Sequence, residues 1–232
     1  MSRKYLVGGT VVTGKVKRIE NAALVLEGGK ISSIFSAKEV QFSKKDEIFD
    51  LAGKIITPVL IDAHVHIGVH PEGFPHDLTD TNEIVDPLTP HLRVIDAIYP
   101  DDTAFQNALT GGVTCVQVLP GSANVIGGQG AIIKTKPDIV ERMVVDAPSA
   151  MKAALGENPI RIYTALKKSP NTRMAVAAMM REALVKAQNY KVKKGETKQR
   201  KAGRADKNVF ECDIEMESLL PVLDRKLAFC VF

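Results

Sequence analysis

The chain has 232 residues, 45% hydrophobic and 25% charged, with a net charge of +4, a globular balance that allows a substantial core and one or two domains. No apolar run approaches the roughly 18–20 residues needed to cross a bilayer, which excludes a membrane span and reads as a cytoplasmic protein. Cys115, Cys212 and Cys230 are odd in number and lack CxxC spacing, which argues against both a disulfide framework and a zinc knuckle.

From Lys4 to about Pro58 the pattern is that of short strands. Tyr5-Leu6-Val7, Thr10-Val11-Val12, Ala23 to Leu26 and Ile31 to Phe35 are apolar and partly β-branched, and Glu27-Gly28-Gly29-Lys30 supplies a hairpin turn. Asp50 to Ile56 supplies one more strand. After Pro58 the rhythm becomes strands separated by helices, the mark of parallel βα units. Leu60 to Ile67 reads as a buried strand. Asp101 to Leu109 reads as a short helix stopped by Gly111-Gly112, and Val113 to Leu119 as the next strand.

Thr172 to about Tyr190 is the clearest helix. Val176, Met179, Met180, Ala183, Leu184 and Ala187 recur at helical spacing, with Ser169 before Pro170 as a cap. Between Lys191 and Lys207 eight Lys or Arg face only Glu196 and Asp206. Without interleaved aromatics for base stacking, that run reads as a solvated loop or frayed helix end and not as a nucleic-acid surface. A helix from about Cys212 to Asp224 leads into an apolar strand, Leu227 to Phe232.

All five histidines, His64, His66, His70, His76 and His91, fall within one short region. Residues i and i+2 of a strand share a face, so His64 and His66 can present two imidazoles to one ion. The segment Gly121 to Gly130 carries four glycines around Asn124 and Gln129. It reads as a loop that brings bare backbone amides to a substrate, with Asn124, Gln129 and His91 as substrate-binding candidates. Loop or helix-capping roles stay open for His70 and His91.

Thr57-Pro58-Val59-Leu60-Ile61-Asp62-Ala63-His64-Val65-His66, led in by Ala52-Gly53-Lys54, resembles the first metal-ligand motif of the amidohydrolase superfamily, with Val59 where that family usually has glycine. Asp86 to Arg93, Gly111-Gly112-Val113-Thr114 and Leu119 to Lys134 resemble its imidazolonepropionase-like or N-acetylglucosamine-6-phosphate deacetylase-like branch. The resemblance implies an α/β fold, a partial TIM (β/α)₈ barrel over residues 59–232 preceded by part of a small β-sandwich over residues 1–58. It also implies hydrolysis of a carbon–nitrogen bond (a cyclic amide or an N-acyl group) in a small-molecule substrate. The water would be activated by one or two divalent metal ions, commonly zinc. His64 and His66 would be metal ligands. Glu157, in Leu155-Gly156-Glu157-Asn158-Pro159, is a candidate third ligand and equally a turn residue.

No histidine follows His91, and Ala228-Phe229-Cys230-Val231-Phe232 departs from the family where a histidine-bearing strand is expected. The family's general-base aspartate is therefore expected beyond the C-terminus, and the chain reads as C-terminally truncated. The alternative to an amidohydrolase is a catalytically inactive fragment acting as a metal-binding or interaction module. Self-association into a homo-oligomer fits an incomplete barrel; no nucleic acid or membrane partner is expected.

Overall fold

The computed structural model describes residues 3–15, 17–75, 79–203 and 210–232. His76, Arg204, Asp206 and Lys207 of the sequence reading lie outside them. The chain divides into two compact units, Met1–Val59 and Leu60–Phe232.

The first unit is one sheet. Strands β1 (Lys4–Val12), β2 (Arg18–Glu27) and β3 (Lys30–Ser36) form an antiparallel meander, while β4 (Glu47–Asp50) and β5 (Ile55–Ile56) both pair in parallel with β1. The two short strands expected before Thr13 are a single one. Gly8, at φ +86°, bends the chain without ending it, and the register slips on either side of Gly9, as a β-bulge does. Conversely, the single strand expected over Asp50–Ile56 is broken by a turn in which Lys54 N–H bonds the Leu51 carbonyl at 2.9 Å. Val11, Ala22 and Leu24 form the core, flanked by Leu6, Ile19, Leu26, Ile34 and Ile56.

The described residues of the second unit form two sheets. One runs β10–β9–β7–β6, built from β6 (Leu60–Val65), β7 (Val113–Val118), β9 (Ala131–Lys134) and β10 (Val144–Asp146). The other runs β12–β11–β8, built from β8 (Ile126–Gln129), β11 (Met151–Ala153) and β12 (Phe229–Val231). The pairs β6–β7 and β11–β12 are parallel, and each is joined through helices, as the strand-and-helix rhythm implied. The pairs β7–β9, β9–β10 and β8–β11 are antiparallel. Part of the glycine-rich segment is therefore strand β8 and not loop. β6 is not a buried strand: it lies at the edge of its sheet, paired only with β7 among the described residues, and Ile61 is 69% exposed.

Helix α1 (Thr103–Thr110) begins two residues later than the sequence suggested, because Asp102 is its cap. The Asp102 carboxylate accepts from Ala104 N at 3.0 Å, Glu72 N at 3.0 Å and Gly68 N at 2.9 Å, which fixes the chain after β6 to the start of α1. Helices α2 (Val140–Met143) and α3 (Glu157–Ala165) are short. Helix α4 (Arg173–Gly203) is capped by Thr172, whose hydroxyl accepts from Ala175 N at 3.1 Å, and not by Ser169. It continues through much of the basic run, so of the two readings, solvated loop or helix end, the helical one holds as far as Gly203: Lys, Glu and Gln are good helix formers and a single Gly195 costs only about 1 kcal/mol. Helix α5 (Ile214–Leu223) is capped by Asp213 and tied to α4 by Lys194–Glu217 and Lys191–Asp224.

Two cores result. Val69, Ile98, Phe105, Val116, Val118, Ile133 and Met143 pack around the first sheet. Val125, Ile126, Met151, Val176, Ala183, Ala187, Leu219 and Leu227 join the second sheet to α4 and α5. No helix of the described residues is long and apolar enough to cross a membrane.

Candidate functional site

β6 carries His64 near its end and delivers His66 just beyond it. The two imidazoles lie on one side, ring centroids 5.2 Å apart and planes at 89°. His66 Nδ1 is 2.8 Å from the Leu119 carbonyl, at the end of the neighbouring strand β7. A carbonyl only accepts, so Nδ1 carries the proton and Nε2 keeps its lone pair. This is the arrangement in which a backbone carbonyl orients a metal-ligating histidine. His64 Nε2 is shut off from solvent with no hydrogen-bond partner among the described residues.

Burial pushes the His64 imidazole below its ordinary range, and the nearby Lys152 ammonium pushes it the same way. Burial does the same at His66; the bond to Leu119 opposes the shift, and the charge of Lys152 adds to it. Both rings are held toward the neutral form, the form that donates a lone pair.

Lys152 is the residue that sequence reasoning missed. It lies in β11 at 0% exposure, its Nζ donating to Ser122 Oγ at 2.8 Å and standing 4.6 Å from the centroid of the Phe232 ring. Burial lowers its pKa. The signal was present: a lone lysine inside Ala150-Met151-Lys152-Ala153-Ala154 interrupts an otherwise apolar strand, and a buried amine with a perturbed pKa beside two histidines is a feature of functional sites. Phe232, following β12, lies with its ring centroid 4.1 Å from that of His64.

Of the other candidates, His70 shares a cleft with His66, and Asn124, Gln129 and His91 make contacts of their own. Glu157 opens helix α3 and is exposed, four residues past the end of β11. Among the described residues no group of three His, Cys, Asp or Glu is arranged to hold a metal ion. Asn124 is buried, and its amide donates to the Asp86 carbonyl at 2.9 Å and to Thr89 Oγ1 at 3.0 Å. Gln129 Nε2 donates to the Pro90 carbonyl at 3.2 Å. These bonds pin β8 and its lead-in to the segment Asp86–Pro90. His91 faces Glu215 of α5, with Nδ1 3.7 Å from the carboxylate. His70 Nδ1 meets Thr81 Oγ1 at 3.2 Å, while that hydroxyl donates to the Val69 carbonyl. His66, Ile67, His70, Glu72, Ala104 and Asn107 line an open cleft of about 560 Å³.

No family model matches the chain. Among curated proteins it is 33% identical over 176 residues to the amidohydrolase tasK of Hapsidospora irregularis, an alignment covering 71% of this chain and 18% of that protein. It is 37% identical over 49 residues to the imidazolonepropionase of Bacillus thuringiensis (strain Al Hakam), covering 21% of this chain and 12% of the relative. The crystal structure of an amidohydrolase from Thermotoga maritima MSB8 superposes with a TM-score of 0.87 at 37% identity, over 98% of this chain and 57% of that one. The chain thus spans about a fifth or less of the curated relatives it matches and just over half of the solved structure.

Proposed function

We infer that this chain, which belongs to the amidohydrolase superfamily, binds a divalent metal ion through His64 and His66 and takes part in hydrolysis of a carbon–nitrogen bond of an amide other than a peptide. The observation that carries this reading is the pair of imidazoles on one strand, one with Nε2 buried and without a partner among the described residues and the other fixed through Nδ1 by Leu119, which leaves the proton off its Nε2 in the neutral form. Two neighbouring imidazoles with a carbonyl behind one of them fit zinc or a similar ion. The ion, when bound, lowers the pKa of a water and polarises the carbonyl to be attacked.

The chain's own residues prepare that chemistry. Leu119 fixes the tautomer and tilt of His66. Lys152, held by Ser122, disfavours protonation of both imidazoles and so keeps their lone pairs available at neutral pH. The parallel pairs β6–β7 and β11–β12, each bridged by helices, support placement in a (β/α)₈ barrel, whose chemistry sits at the carboxyl ends of its strands. His64 and His66 lie at that end of β6.

A second reading has one observation in its favour: the absence, among the described residues, of a third donor beside the pair. On that reading the chain is a metal-binding or interaction module without turnover. Elemental analysis of wild-type and His64→Ala/His66→Ala protein, with hydrolysis assays on N-acyl amino acids and cyclic amides, separates the two. Bound metal and turnover that vanish together in the double variant support the hydrolase. Metal that depends on the histidines without turnover supports the module, and metal indifferent to both histidines refutes the site.

A further inference from the structure

The ring of Phe232 touches the imidazole that the proposed metal needs. At a centroid separation of 4.1 Å from His64, no space remains between the two rings for water or an ion. The same ring stands 4.6 Å from Lys152 Nζ. Its backbone is fixed on both sides, with Phe232 N donating to the Ala153 carbonyl at 3.1 Å and Leu155 N donating to the Phe232 carbonyl at 3.1 Å. The strand ladder therefore delivers whatever side chain stands at position 232 toward His64. A phenyl ring offers no lone pair. Catalytic zinc sites take three protein donors, and the described residues gather two.

We propose that Phe232 occupies the position of a third metal donor beside His64 and His66, and that its ring holds the pair in a low-affinity state by filling that corner with an apolar surface. The proposal rests on the reading of His64 and His66 as metal ligands and adds what limits their affinity. Metal reaches the pair only by displacing the ring or by approaching from the side it leaves open. A donor at 232 completes the set, and a small residue there admits water into the corner.

The test uses the full chain, stripped of metal, as wild type, Phe232→His, Phe232→Ala and Phe232→Leu, together with Phe232→His in a His64→Ala/His66→Ala background. Co²⁺ and Zn²⁺ affinities are measured by titration calorimetry, and the Co²⁺ environment by its visible absorption. Phe232 is 57% exposed, so each variant is expected to keep the circular dichroism spectrum of the wild type. Phe232→His is expected to bind at least about tenfold more tightly than wild type, the lower end of the range over which ligand-supporting contacts alter metal affinity, with stronger Co²⁺ absorption. Phe232→Ala should fall between the two, and Phe232→Leu, which preserves the apolar filling, should match wild type. Binding that depends on His64 and His66 but is equal in all four proteins would overturn the role given to Phe232 while leaving the ligand pair in place. Binding that persists in the His64→Ala/His66→Ala background overturns both. Should Phe232→His fail to fold, the order of Phe232→Ala against Phe232→Leu decides the matter.

Discussion

Replacing Lys152 with methionine is expected to stabilise the metal-free protein. The lysine is fully buried, and no Asp or Glu of the described residues contributes to its electrostatics. Taking an ammonium out of water costs several kcal/mol even after the protein relaxes. Against that stand one hydrogen bond to Ser122, about 1.5–3 kcal/mol for a charged donor, and the Phe232 ring, about 0.5–2 kcal/mol. The balance is unfavourable by about 1–2 kcal/mol. Methionine keeps the length of the stem and its packing, and half-buried Ser122 can turn to water. Lys152→Met should therefore raise the Tm by about 2–8 °C. The pH dependence identifies the cause. Burial lowers the folded-state pKa below 10.5, so in that interval the unfolded chain holds the proton more often than the folded one and wild-type stability rises with pH. The advantage of Lys152→Met, measured by urea denaturation in the presence of a chelator, should be largest at pH 7 and shrink as the pH approaches 10.5. A variant less stable than wild type at pH 7, with a gap that does not change with pH, would refute the reasoning by showing that the amine is a net contributor to the fold.

The histidines act with the same sign at lower pH. Their pKa values are depressed by burial and by Lys152, so the stability of the metal-free protein should fall as pH drops below about 6.5 toward the lower folded values, and His64→Ala/His66→Ala should lose part of that slope in denaturant titrations from pH 8 to 5. Asp102→Ala removes three carboxylate–amide bonds at one buried residue and should lower the unfolding free energy by about 2–4 kcal/mol, with Asp102→Asn losing less. Gly128 has φ +116°, and a Cβ there would lie 2.6 Å from the Leu92 carbonyl oxygen. Gly128→Ala is expected to cost about 2–5 kcal/mol from backbone strain and overpacking together, read as a shift of the urea midpoint without a change in slope.

The elements that sequence revealed best are those whose period matches their burial. In α4, Val176, Ala183 and Ala187 are the buried positions, and they stand at helical spacing in the chain. The ends were harder to place because capping depends on which hydroxyl or carboxylate reaches the free amides. Thr172 and Asp102 do so, while Ser169 and Asp101 have the same chemistry in the wrong place. β6 was misjudged for a different reason. An apolar run carries no mark of whether a second strand covers its far side, and Leu60–Ala63 lie on an edge. The antiparallel strands inserted between the parallel pairs were equally hidden, since glycine-rich Gly121–Gly130 reads as loop until Ile126–Gln129 is seen paired with Met151–Ala153.

The site shows the same division. His64 and His66 were legible because strand geometry alone puts i and i+2 together. Their partners are long-range. Leu119, Lys152 and Phe232 reach the pair only because β7 runs parallel to β6, β11 pairs in parallel with β12, and the Phe232 backbone is hydrogen-bonded to Ala153 and Leu155. The sequence reading placed Leu119 and Phe232 in apolar strands and passed over Lys152, because a lysine that interrupts an apolar stretch by chance looks the same locally as one whose charge acts on two imidazoles. Their effects on the pair also oppose one another. The Leu119 carbonyl favours the His66 imidazolium, whereas burial and the Lys152 charge disfavour it, and the net shift is downward. The lone pair on Nε2 is thus oriented by one neighbour and protected from protonation by the other, and a substitution that preserves only one of these actions leaves a histidine either correctly aimed but more often charged, or neutral but free to turn.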